Sequence, residues 1–176
     1  MSSPVIDIQE YIERIAQIYE ADTTLFPPET TDESLVTAVI RNKPAIEQSA
    51  PEGILPYILV FESAQPIRFF EKAGRDTRNV EGGTVYEVEI YSVVITDNEL
   101  TAESAQVDIH TITAAMRNAL ANNLRLADPA NLTLDPLCRT HTRFEITYLL
   151  KGDVPASMFA RNVVVKPQVY VSPRSP

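Results

Sequence analysis

The sequence predicts a mixed α/β domain of helices packed on a sheet, and three stretches carry that expectation. Residues 7–21 repeat apolar side chains every three or four positions, the run GGTVYEVEIYSVVITD from Gly82 to Asp97 alternates them, and Thr101 to Asn123 returns to helical spacing. A helix of that kind has one apolar stripe and a strand of that kind one apolar face. Each needs a partner to bury against, and together they make a core.

Taken in order, Ile8, Tyr11, Ile12, Ile15, Ile18 and Tyr19 line one side of a first helix, with Glu10, Glu13, Arg14 and Gln17 between them. Phe26-Pro27-Pro28 ends it. Thr30 and Glu33 have the spacing of a capping box before Leu35, Val36, Val39 and Ile40, so a short second helix or turn-rich segment is expected there. Pro44, Pro51 and Pro56 mark a connection, because each removes a backbone donor and biases its predecessor away from helix. Tyr57 to Ser63 is an almost continuous apolar run and reads as a strand buried on both faces.

After Pro66 a brief apolar piece, Ile67 to Phe70, gives way to Glu71–Gly83, which mixes both charges and holds three of the five glycines. That composition predicts a long loop or hairpin tip. The strand from about Thr84 to Thr96 follows, with Tyr86, Val88, Ile90 and Val94 on one face and Glu87, Glu89, Tyr91 and Val93 on the other. The helix over Thr101–Asn123 presents Ile109, Ile112, Met116, Ala119 and Leu120. A strand is expected over His141–Leu150, where Phe144, Ile146, Tyr148 and Leu150 alternate with Arg143, Glu145, Thr147 and Leu149. A last extended segment, Ala160 to Val171, contains Pro167 and is expected at a sheet edge.

A chain of 176 residues is sized for one domain and buries roughly two-thirds of its unfolded surface, so it needs neither metal nor disulfide to hold a core. The net charge of −9, with only 15 Lys and Arg, argues against a surface that neutralises nucleic-acid phosphates or anionic lipid. One cysteine excludes an internal disulfide and fits a cytosolic setting. The N-terminus has no basic region followed by an apolar core, and no apolar run approaches the roughly 18 residues of a membrane span. The expectation is a protein neither exported by a signal nor anchored in a membrane.

Chemistry-bearing residues are sparse. Cys138 and His141, with His110 elsewhere, are the only Cys–His material for a nucleophile and its base, and a small buried hydrophobe is the simpler role for Cys138. The same residues fall short of the four ligands of a structural zinc site. Gly82-Gly83 precedes a strand, whereas a phosphate-binding loop leads into a helix. Asp108 near the start of a helix is favoured by the helix dipole alone, and His110 beside it is surface or interface filler. Glu87 and Glu89 lie two apart on one strand, but a glycosidase cleft needs aromatic stacking surface and the chain has no tryptophan. Neither catalysis nor a cofactor or metal is expected. The two carboxylates belong either to a solvated face or to a face opposed by another subunit or lining a channel, where they pair with residues such as Arg143.

The element order over residues 5–150, together with the run VYEVEIYSVVITD and the directly following helix ending ALANN, resembles the tail terminator and tail-completion proteins of long-tailed bacteriophages. The resemblance implies an α/β (α+β) domain with a mostly antiparallel sheet and helices on one face. It also implies assembly into a ring, usually hexameric, that caps the tail tube and meets the neck or connector in the virion. DNA passes through such a ring without specific binding, and an acidic lumen suits that passage. On this expectation residues 1–150 form the domain and 151–176 an added extended arm, part of the same domain or docked on a neighbour.

The candidate interface or lumen residues are then Glu87, Glu89 and Arg143 on strands, Lys72, Arg75 and Arg78 in the Glu71–Gly83 loop, and Val163, Val165 and Tyr170 in the arm. The alternatives are another neck or minor tail component, an acidic protein-binding adaptor, or a small Cys/His enzyme.

Overall fold

The computed structural model describes residues 6–28, 34–42, 56–72, 84–97, 102–134, 136–138, 143–148 and 158–171. They form an α+β fold in which two helices pack on one open, mixed, mostly antiparallel sheet. The first helix, α1 (Ile8–Glu20), starts where the Asp7 carboxylate accepts from the Gln9 amide at 3.0 Å, a side-chain cap for one of the orphan donors of the first turn. Its buried stripe is Tyr11, Ile12, Ile15, Ala16, Ile18 and Tyr19, as the spacing requires.

The described part of the helix or turn-rich segment expected after Pro28 bends at Leu35 and Thr37 and then forms a strand, β1 (Ala38–Arg41), with no helix. Thr30 and Glu33 lie outside the described residues. Spacing of Val36, Val39 and Ile40 fits a helical face, but β-branched residues sit equally well in a strand, and parallel pairing with β2 (Tyr57–Lys72) decides between them.

Strand β2 runs nine residues past the expected end at Ser63. Pro66 does not stop it because the residues from Ser63 to Pro66 bulge out opposite Glu89, between the registered pairs Glu62↔Ile90 and Ile67↔Val88. A proline inside a bulge forfeits no ladder donor. A second irregularity lets Phe70 stand between the pairs Phe69↔Tyr86 and Glu71↔Val85. Glu71 and Lys72, expected in the loop, close the ladder; the rest of the loop, with Arg75 and Arg78, lies outside the described residues.

Strand β3 (Thr84–Asp97) is the centre of the sheet, paired with β2 on one side and on the other with β5 (Met158–Lys166) and β6 (Gln168–Val171). Helix α2 (Ala102–Ala121) precedes a turn in which the Asn123 side chain both accepts from the Ala127 amide at 2.8 Å and donates to its carbonyl at 2.9 Å. That bracket holds buried Leu126 at a φ of 53°, a left-handed conformation unusual for leucine. Strand β4 (Arg143–Tyr148) pairs with β5, giving the order β1-β2-β3-β5-β4.

The last extended segment lies at an edge only in part: among the described strands β6 pairs with β3 alone, whereas β5 is interior. Strand β5 fills the slot between β3 and β4, and Pro167 falls at the joint with β6. There its carbonyl still accepts from the Val88 amide at 2.9 Å, and the last described pair of β4 is Arg143 with Lys166. The donor that proline lacks is not needed by any described strand.

Both helices cover the face carrying Ile58, Val60, Val88, Ile90, Val94, Val163 and Val165, which with the helix stripes makes the main core. The other face has its own smaller buried cluster, Tyr57, Leu59, Val93 and Ile95, with Ile40, Phe61 and Tyr91 against it. The division into one apolar and one non-apolar face is thus incomplete: the second face is apolar at one end and charged at the other.

Candidate assembly surface

The charged end of the second face is built by register. Pairing places Arg68 (β2), Glu87 (β3) and Gln168 (β6) in one row, Phe61, Tyr91, Val164 and Glu145 in another, and Arg143 opposite Lys166. Within it Lys166 Nζ lies 3.2 Å from Glu145 Oε2, and the Phe61 and Tyr91 rings meet edge to face at 5.6 Å.

Glu87 and Glu89, equivalent in the sequence pattern, occupy different environments. Glu87 is half-buried, whereas Glu89 is only 5% exposed and receives Arg68 Nη2 at 3.4 Å. A carboxylate so enclosed needs polar partners, and the half-exposed Arg68 guanidinium supplies one. Tyr91 adjoins the pair: burial pushes its phenol above the ordinary value, the Glu89 charge and hydrogen bond push further, and Arg68 and Lys166 oppose. Arg143, the expected partner of the two glutamates, sits two strands away on β4 with an exposed side chain. Within the chain Arg68 pairs with Glu89, and Lys166 pairs with Glu145 instead. Alternation alone does not find the Arg68 pairing, because the bulge before Ile67 sets which face Arg68 joins.

Beyond the reach of the helices, the opposite face of the same ladder is apolar and open. Phe69, paired to Tyr86, is 60% exposed, and Ile67 is also exposed. The distal β2–β3 ladder is thus two-sided, with apolar Ile67 and Phe69 on one side and Arg68 and Glu87 on the other. Leu132 and Leu134, in the segment after α2, are exposed as well.

Two of the arm residues are corrected by burial. Val163 and Val165 are fully enclosed under the helices and belong to the protomer's own core, because inner strand β5 points its odd-numbered side chains at α2. Tyr170 is placed by backbone pairing to Val85, and Lys72 by pairing to Thr84.

Cys138 is buried; its amide donates to the Arg125 carbonyl at 3.1 Å and its own carbonyl accepts from Arg125 Nε at 3.3 Å. His110 is exposed on α2 with Nδ1 against the Arg161 guanidinium, while His141 lies outside the described residues. Among the described residues no three His, Cys, Asp or Glu side chains gather as a metal-binding group, and no helix is long and apolar enough to cross a membrane. No protein-family model and no curated protein sequence matches the chain.

Proposed function

We propose that the chain is a structural virion protein of the tail-terminator type. It forms a homo-oligomeric ring, hexameric by analogy, that caps a phage tail tube, meets a neck or connector protein, and performs no catalysis. The reading rests on the resemblance in element order. Among the structural observations, the two-sided distal ladder carries it: exposed Phe69 and Ile67 back onto the Arg68–Glu87 row, a surface with area and charge to offer a neighbour on each side. An acidic chain of net charge −9 suits a lumen that lets DNA pass without holding it.

Size-exclusion chromatography with light scattering tests the assembly. The ring reading expects a single species of hexamer mass, seen as an annulus in negative-stain micrographs, that binds preformed tail tubes at their ends. A monomer or dimer at every concentration, with no tube binding, would replace it with the acidic adaptor.

A further inference from the structure

The most apolar stretch of the sheet is also next to its edge. Tyr57, Ile58, Leu59 and Val60 are all buried, and among the described strands only β1 stands between them and the end of the sheet. An apolar, β-branched segment at an open edge is a template for pairing with another chain. Strand β1 closes that edge with four residues in parallel register, Ala38↔Tyr57 to Arg41↔Val60, bracketed by Thr37 N–Pro56 O and Asn42 N–Val60 O hydrogen bonds of 2.7 Å each.

So short a parallel strand has little hold of its own. Val39 enters the main core and Ile40 the smaller cluster, and an ionic tie to α1 adds direction to that packing. Arg41 reaches from the end of β1 to two carboxylates on one side of α1: Nε and Nη2 bind Glu13 at 2.7 and 3.1 Å, and Nη1 and Nη2 bind Glu20 at 2.7 Å each. A fork engaged by two carboxylates in this way fixes direction as well as distance.

We infer that β1 is a guard strand, clipped to α1 by Arg41 so that Tyr57–Val60 cannot pair edge to edge with a second copy of the chain. The inference is independent of the ring reading, since it concerns association that wild-type protein avoids.

Hydrogen–deuterium exchange and light scattering on full-length Arg41→Met test it. The expected result is exchange faster by about tenfold at residues 38–41 and 57–60, with α2 and β5 unchanged, together with species larger than any wild-type assembly that grow with concentration. A triple variant carrying Glu13→Lys, Glu20→Lys and Arg41→Glu reverses the signs and is expected to restore wild-type exchange and mass. Unchanged exchange at 38–41 in Arg41→Met, faster exchange without new association, or failure of the triple variant to restore protection would each overturn the guard. If Arg41→Met loses its far-ultraviolet circular dichroism, the milder Glu20→Gln is read by the same criteria.

Discussion

Arg68 and Glu89 are diagonal neighbours across the β2–β3 ladder: the residue registered opposite Arg68 is Glu87, yet the guanidinium hydrogen-bonds Glu89, at 3.4 Å. The bulge from Ser63 to Pro66 leaves Glu89 without a registered partner on β2, and Arg68 reaches toward it across the pleat.

The two glutamates are therefore expected to respond differently to charge reversal. Glu89→Lys places a second cation beside Arg68 at an enclosed position and is expected to cost about 2–3 kcal/mol of protomer stability. Glu87→Lys, half-buried, is expected to cost under about 1 kcal/mol. Urea unfolding of the two variants checks the ranking; equal costs would mean that Glu89 is no more committed than its neighbour.

Removing the chain after Gly152 deletes the strand between β3 and β4, so the fragment is expected to lose cooperative unfolding instead of remaining a folded protomer that assembles poorly. Val163→Ala gives the graded version, with an expected loss of about 2 kcal/mol from a fully buried position. Circular dichroism of the truncation and thermal melts of the point variant measure both. A folded truncation would show β5 to be dispensable to the core it now occupies.

Phe69→Ser is expected to leave stability within about 0.5 kcal/mol, because the ring is largely exposed in the protomer, and to lower oligomer mass or tube binding if the distal ladder is a contact. Denaturation and light scattering on the same sample separate the two effects. Wild-type assembly by this variant would remove Phe69 from the candidate surface.

Alkaline pH is expected to destabilise the fold. Burial raises the phenols of Tyr19 and Tyr11 above their ordinary value, with the charges of Cys138 and then Glu10 adding to the shift at Tyr11. For a raised pKa the folded chain holds protons that the unfolded chain releases. The contribution is complete below the unfolded phenol value of about 10 and is lost as pH rises toward the folded value. Denaturant midpoints across that range are expected to fall in wild type and to fall less in Tyr19→Phe. Parallel decline in both would assign the effect to other groups.

Cys138→Ala is expected to preserve assembly and fold, at a cost of about 1 kcal/mol for the lost buried sulfur. A thiol-dependent activity that vanishes in this variant would restore the enzyme reading.

Local pattern determined the parts of this protein that local physics decides. Asp7 and the spacing from Ile8 to Tyr19 specify α1, the stripe from Ile109 to Leu120 specifies α2, and alternation assigns the two faces of β3, because a helix or strand exposes its period in its own residues. Tertiary structure decided what depends on residues far apart in the chain. Whether Val39-Ile40 becomes strand or helix depends on β2 being beside it. Whether the residues before and after Pro167 lie inside the sheet or at its edge depends on which strands pair beside them, and whether Val163 meets a neighbour or α2 depends on β5 taking the inner slot. The same holds for Glu87 and Glu89. Their identical pattern positions diverge because a bulge on another strand shifts the register opposite them, and pairing register is a property of two strands that neither sequence states alone.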